Sequence, residues 1–336
     1  MNFFFSSLTW IILNNERLFE ILKDDGNMKK IIEVDSPHGT GILYGREHEN
    51  PVGSVFFVHG MKSSYKIWEV EKFFSHNINC YAINFSDSAK ASILDLSDWE
   101  LALALDYIFE RYPKKPVTLV SHSLGGIITR YYLDVDEKHP NHDPKKIKEK
   151  NIIKAILLLA VPNHGYPKLL KEENQIKNTP NHIKLKTFTE SQYKHIEQAA
   201  QWIFEFLEIK NFKELYETSE IMCSLNDNLE ANLWPNIKWF NIIANKDFIV
   251  DQGSSEFSLE EISFLQDFSQ IVVDATHLKN PFNHGLLGFL NERKIKNFQE
   301  KIEEHFPLLR SFTSPPIYEC GKLVDIFKNE VVPLYK

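Results

Sequence analysis

A chain of 336 residues, 43% hydrophobic and 25% charged, can bury a full core, either as one large domain with an insertion or as two small ones. Its formal net charge of −8 argues against a nucleic-acid partner or a polybasic membrane contact, since both need a basic surface. The three cysteines, Cys80, Cys223 and Cys320, lie far apart without metal-ligand spacing, so they read as small buried hydrophobes of a reducing compartment rather than as a disulfide framework.

The chain begins with an apolar run, Phe3 to Leu13, that lacks the basic start and small-residue cleavage site of a signal peptide and is too short to span a membrane. This run is therefore expected to form a docking helix or a surface-active segment, with export or anchoring as the alternative. Transient contact with a membrane surface and a cytoplasmic location follow as expectations. Lys29–Asp35 and Gly41–Arg46 are β-like runs around the turn-rich Ser36-Pro37-His38-Gly39-Thr40, the pattern of a hairpin at a sheet edge. After the polar connection Glu47–Gly53, Ser54–Val58 is a continuous apolar run of the kind that a strand buried on both faces requires. It ends in His59-Gly60-Met61.

A helix is expected over Tyr65–Phe74, a strand over Cys80–Phe85 and a loop over Ser86–Asp98. Trp99–Tyr112 carries Leu101, Leu105, Ile108 and Phe109 at helical spacing and stops before Pro113. A β-rich run then arrives at Ser123, and a helix-compatible run, Leu124-Gly125-Gly126-Ile127-Ile128-Thr129-Arg130-Tyr131-Tyr132, leaves from it. Ser121-His122-Ser123-Leu124-Gly125 differs from the G-x-S-x-G nucleophile elbow in its first position only, where a small serine replaces glycine. An ordinary strand-to-helix turn containing a serine is the other reading.

Val135–Lys150 is a charged excursion, with Lys145-Lys146-Ile147-Lys148 as a solvated face. His139 and His142, near Asp136 and Asp143, follow no ligand spacing, and no metal is expected. The buried strand Ile152–Ala160 leads into Val161-Pro162-Asn163-His164-Gly165. The stretch Tyr166–Pro235 is much longer than a crossover helix needs and reads as a cap. Within it, Ser191–Leu207 places Tyr193, Ile196, Ala200, Ile203, Phe204 and Leu207 at helical intervals. Trp202, Phe206 and Trp234 are candidates for a lid's apolar underside that receives a substrate, against the plainer reading of a helix packed on the body. Ile237–Ala244 restores the sheet, followed by Asn245-Lys246-Asp247-Phe248-Ile249-Val250-Asp251. Phe268–Ala275 is the last β-like run; His277 and Asn283-His284-Gly285-Leu286-Leu287 come after it, then a helical pattern over Glu292–Phe306 and a turn at Pro315-Pro316. The alternation of strand and helix implies a parallel sheet covered on both faces, with Ser123 at the carboxyl end of a central strand. The resulting division is 1–28 as an amino-terminal segment, 29–165 and 236–336 as an α/β core, and 166–235 as the cap.

At the elbow, at His59-Gly60-Met61, at the loop carrying Asp247 and at Asn283–Leu287, the chain resembles α/β-hydrolases of the lipase and esterase type, near the bacterial lipases and the GPI inositol-deacylase-like serine hydrolases. The resemblance runs roughly from Ser54 to Leu287. It implies an α/β-hydrolase fold, a mostly parallel sheet flanked by helices with a helical cap inserted before the acid-bearing strand. Ser123 would be the nucleophile, and the backbone N–H groups of Met61 and Leu124 would form the oxyanion hole. Asp247 matches the acid of a pattern like G-x-x-D-x-x-V, with Ala244 where glycine is common and Asp251 as its rival. His284 matches the base, with His277 as its competitor. His59, directly after a buried strand, is expected to be structural. His164 is expected to be structural or pocket-lining, because a base there would break the chain order Ser, Asp, His.

The implied activity is hydrolysis of carboxylic esters, of lipid or other acyl type, through an acyl-enzyme intermediate and without metal or organic cofactor. An acyltransferase or thioesterase using the same triad, and a catalytically silent binding scaffold, are the alternatives. Dehalogenase chemistry is disfavoured because it would place a carboxylate at the elbow.

Overall fold

A computed structural model of the chain describes residues 28–61, 63–68, 70, 73, 77–88, 90–134, 151–165, 214–245, 247, 250, 252–275 and 317–335. Continuous apolar runs become interior strands. In β3 (Gly53–Val58) and β5 (Val117–His122) every residue is buried. By contrast, the edge hairpin β1 (Lys29–Ser36) and β2 (Gly39–Arg46) keeps exposed and half-buried positions among its buried ones. With β4 (Ile78–Asn84), β6 (Ile153–Leu159), β7 (Lys238–Ala244) and β8 (Phe268–Val273), these strands form one eight-stranded sheet in the order β1-β2-β4-β3-β5-β6-β7-β8. β2 runs antiparallel to β1 and β4, and the remaining pairs are parallel. Ser123 thus emerges at the carboxyl end of a central strand.

The hairpin is tighter than its sequence suggests. Ser36 pairs with Gly39, so only Pro37 and His38 form the turn. Gly39, at φ 150°, supplies the positive φ that lets the chain reverse so sharply. The helix expected over Tyr65–Phe74 is, at its start, a single 3₁₀ turn, Tyr65–Ile67, that gives way to extended backbone at Trp68. Burial of the Trp68 ring 5.0 Å from Phe57 pulls the chain out of helical geometry there.

The loop expected over Ser86–Asp98 also ends early. Ser92 caps a helical turn at Ile93–Asp95, a π-helical stretch follows at Leu96–Leu101, and regular helix α1 (Ala102–Arg111) completes the element. The cause is Glu100, which is fully buried. Its carboxylate accepts hydrogen bonds from the Ser36 hydroxyl at 2.9 Å and the Ser86 N–H at 2.8 Å. Burial raises its pKa above the ordinary carboxylate range.

Helix α2 (Leu124–Leu133) is buried along its whole length, with helical residues between 220 and 232 packed against it. Residues 166–213 fall outside the described set, but 214–235 carry helix α3 (Glu220–Asp227) and the short helix Leu229–Asn232. The opposite face of the sheet is completed by a segment whose sequence carries no legible signal. Helix α4 (Gly321–Ile326) and the turns to Tyr335 pack Leu323, Ile326, Phe327 and Val331 against Val55, Phe57 and Val120. The buried Tyr335 hydroxyl lies 2.9 Å from the Ser54 carbonyl oxygen, to which it donates, and 2.7 Å from the Thr118 hydroxyl. The helical pattern at Glu292–Phe306 and residues 1–27 lie outside the described residues, among which no helix is long and apolar enough to cross a membrane.

If the carboxyl-terminal segment is integral to the core, Tyr335→Phe should lower unfolding free energy by about 1–2 kcal/mol through its lost hydrogen bonds. Urea denaturation with an unchanged m-value checks this.

Candidate active site

β5 and α2 meet at Ser123, whose backbone sits at φ 53°, ψ −128°. A non-glycine residue in that region is strained by about 1–3 kcal/mol and persists only when its surroundings over-determine it. Here they do. Ser123 N–H donates to Leu159 O on β6 at 2.9 Å, and Ser123 O accepts from Gly126 N–H at 2.9 Å. Sterics close the remaining sides. A Cβ on Gly60 would lie 2.8 Å from the Ser123 Cβ. One on Gly125 would meet the Val58 and His59 carbonyl oxygens at 2.6 Å, and one on Gly126 would collide with the Val161 side chain. The Gly60–Met61 loop is therefore pressed against the serine, and Leu124 contributes the first N–H of α2, which has no acceptor within the helix. The positive end of a ten-residue helix lies at Ser123, an environment suited to negative charge.

Ser121, the departure from the elbow motif, is buried with its hydroxyl 2.7 Å from that of Thr129. Thr129 in turn donates to Gly125 O at 2.9 Å, so the proton between the two hydroxyls comes from Ser121. The side chain ties the end of β5 to the first turn of α2.

His59 is buried, with Nδ1 2.7 Å from Gly60 O and Nε2 accepting from Phe85 N–H at 3.2 Å. These bonds specify the Nδ1–H tautomer and engage both ring nitrogens, and burial lowers the pKa to about 4. The imidazole is a neutral brace of the Gly60 loop. His164 has Nε2 2.6 Å from Glu256 O and Nδ1 3.7 Å from the Glu261 carboxylate, tying the loop after β6 to residues 254–261. His122 is buried with its ring 5.5 Å from that of Tyr318.

Asp247 follows β7, separated from β5 only by β6. Parallel strands spaced at about 4.8 Å bring the carboxyl ends of β5 and β7 within about 10 Å of one another, a gap that a bridging side chain can fill. Asp247 Oδ1 accepts from Val250 N–H at 2.9 Å, and its own N–H donates to Ala244 O at 3.3 Å, forming a tight turn. Asp251, His277, His284, Trp202, Phe206, His139 and His142 lie outside the described residues.

Trp234 is 3% exposed, and its Nε1 donates to Leu133 O at 2.9 Å and Ala231 O at 3.0 Å, which seals the end of α2.

A buried polar cluster beside α2 escapes sequence reading. Arg130 is fully buried. Its Nε donates to Asn232 Oδ1 at 2.9 Å, Nη1 to Asn163 O at 2.7 Å, and Nη2 to Leu225 O at 3.1 Å and Asn226 Oδ1 at 3.2 Å. The Phe257 ring lies 5.4 Å from the guanidinium carbon. Burial lowers the Arg130 pKa to about 9, an effect offset in part by Asp134 and Glu261. The signal was present in the sequence as one cation inside an otherwise uncharged helix.

The strand order, the antiparallel second strand and the strained serine between the fifth strand and its helix define an α/β-hydrolase fold. No protein-family model matches the sequence, and no curated protein matches it significantly. Among solved structures, a thermostable carboxyl esterase from Bacillus coagulans is similar at 16% identity and TM-score 0.47, covering 82% of this chain and 96% of its own. An esterase of Pyrococcus furiosus is similar at 15% identity and TM-score 0.49, covering 84% and 90%. A monoacylglycerol lipase of Paleococcus ferrophilus is similar at 16% identity and TM-score 0.43, covering 78% and 99%.

Two outcomes follow from this geometry. Gly126→Ala should destabilise the fold by about 2 kcal/mol or more, and Val161→Ala should recover part of that loss, giving a coupling energy above about 1 kcal/mol in a double-mutant cycle. For His59, the folded pKa of about 4 lies below the ordinary 6.5. Its contribution is thus complete above pH 6.5 and is lost as pH falls towards 4, at up to about 1.4 kcal/mol per unit. Urea unfolding across this window should show that slope in the native chain and its loss in His59→Gln.

Proposed function

We propose that this chain is a serine hydrolase that cleaves carboxylic esters, of lipid or other acyl type, through an acyl-enzyme intermediate. The observation that carries the reading is the backbone of Ser123, held at φ 53° at the end of a buried strand with the Gly60–Met61 loop against its side chain. Such strain has a use where a hydroxyl must stand clear of the sheet beside main-chain donors. A structural serine needs neither. The ester preference rests on the likeness of the elbow sequence to those of lipases and esterases.

In the proposed reaction His284 takes the Ser123 proton as Oγ attacks the ester carbonyl, and the Met61 and Leu124 N–H groups hold the oxyanion. Asp247 accepts a hydrogen bond from the imidazole, fixes its tautomer and stabilises the imidazolium. The tetrahedral intermediate collapses, His284 protonates the departing alcohol, and the acyl group stays on Ser123. Water, deprotonated by the same histidine, then attacks the acyl-enzyme. The acid departs as the proton returns to Ser123. Residues 166–235 act as the cap over this site, with Trp202 and Phe206 on its acyl-facing side, and the amino-terminal apolar run supplies contact with a lipid surface.

A fluorophosphonate probe tests the nucleophile. Native chain should be labelled, and equally well-folded Ser123→Ala should not. Asp247→Asn should slow labelling by about 10³–10⁴-fold. Loss of labelling in His277→Ala but not in His284→Ala would transfer the base to His277. Turnover of thioesters or acyl transfer to an added alcohol in preference to ester hydrolysis would replace the esterase assignment. A folded native chain that never labels would leave a binding scaffold.

A further inference from the structure

Three buried polar residues form a continuous connection from the nucleophile's helix to the strand that delivers Asp247. Arg130 lies two turns along α2 from Ser123, and its Nη1 donates to Asn163 O at 2.7 Å. Asn163 belongs to the loop after β6. Its Nδ2 donates to Asn241 Oδ1 at 3.2 Å and to Ser255 O at 2.8 Å. Asn241, on β7, donates to the same Ser255 oxygen at 2.7 Å and to Gln270 Oε1 at 2.9 Å. Three residues beyond Asn241, β7 ends and turns into Asp247. Arg130, Asn163 and Asn241 are each 0% exposed.

These are costly residues to bury for packing alone. The Arg130 hydrogen bonds described here all go to neutral oxygens, so no directly bonded carboxylate balances the guanidinium's loss of water. Asn163 Oδ1 is buried without a hydrogen-bond partner among the described residues, a penalty that an apolar side chain of similar size would avoid. What an apolar triplet would not provide is direction. A planar fork and two amides fix distance and angle together.

We infer that Arg130, Asn163 and Asn241 are positioning residues that set the placement of the acid-bearing turn after β7 relative to Ser123. The inference rests on the proposed hydrolase reading, because placement matters only if Ser123 and Asp247 work together. The sheet ladder alone fixes the strands. The loop after β6 stands beyond it and is held by the Asn163 bonds to Asn241 and Ser255, and the turn that carries Asp247 begins three residues past Asn241. Preorganised sites lose rate steeply when their groups drift by fractions of an ångström.

Asn163→Ala is the informative change. It keeps the main-chain oxygen that Arg130 uses while cutting the link to β7. Native chain, Asn163→Ala, Arg130→Lys and the control Tyr335→Phe would each be reacted with a fluorophosphonate. Two quantities are read: the fraction labelled at completion and the second-order rate constant. A purely structural role lowers the labelled fraction but leaves the rate constant of the folded molecules alone. We expect Asn163→Ala to label fully with a rate constant at least tenfold below native, and Tyr335→Phe, destabilised on the opposite face of the sheet, to keep the native rate constant. Arg130→Lys preserves charge but not the fork and should also fall at least tenfold, so it decides the matter if Asn163→Ala does not fold. Folded variants labelling within twofold of the native rate, or losing labelled fraction only, would overturn the inference and leave the hydrolase reading intact. Native chain that does not label at Ser123 would overturn both.

Discussion

The approach of Gly60 to Ser123 is the constraint on which the site depends. A Cβ at Gly60 would fall 2.8 Å from the serine's own, and one at Gly125 would fall 2.6 Å from two carbonyl oxygens of β3 and its loop. Strand, loop and helix therefore converge more closely than ordinary side chains permit. Ser123 can occupy the point of convergence only with its backbone at φ 53°. The strain of about 1–3 kcal/mol is small against the apolar burial of β3, β5 and β6, where each buried Val, Leu, Ile or Phe contributes about 1.5–3 kcal/mol. The core thus holds the serine in a conformation that it would not choose, with its Cβ against Gly60 and its backbone at the amino end of α2.

Two kinds of constraint surround Ser123. On the β3 side, contact is steric: glycine against backbone, with His59 bracing the loop through two hydrogen bonds. On the β7 side it is polar, carried by Arg130, Asn163 and Asn241. The difference follows from distance. β3 is the direct neighbour of β5, so close packing suffices. β7 lies one strand further away, and it is reached from α2 through the loop after β6 by groups with reach and direction. Burial gives these polar groups consequences, because a hydrogen bond in a low-dielectric interior is strong and its loss leaves an unsatisfied partner behind.

Much of the architecture was legible because interior parallel strands need uninterrupted apolar runs. Ser54–Val58, Ile152–Ala160 and Ile237–Ala244 supplied them, and each is a strand within a residue or two of its expected limits. The strand–turn–helix at Ser123 was equally legible from its small flanking residues. What escaped reading was decided by tertiary contacts. Trp68 leaves helical geometry to fill a core position, Glu100 is drawn into the protein by serine donors from two distant segments, and residues 317–335 join the core through Tyr318, Phe327 and Tyr335. Trp234 is fixed by a tertiary contact of the same kind, its indole N–H bonded to the Leu133 carbonyl oxygen.

Ser121 shows why a motif is better read as physical requirements than as letters. The two outer positions of the elbow pentad do not need glycine for the same reason. Gly125 has no room for a Cβ, while its φ is not positive, so its requirement is space. Ser121 likewise has an ordinary negative φ, and Thr129 stands where its hydroxyl can be received. A side chain at Gly125 would push the helix off β3. One at Ser121 bonds the helix to β5. The departure from the pattern therefore replaces the absence of a side chain with a tie across the same junction, and the geometry that the pattern exists to protect is kept at Ser123.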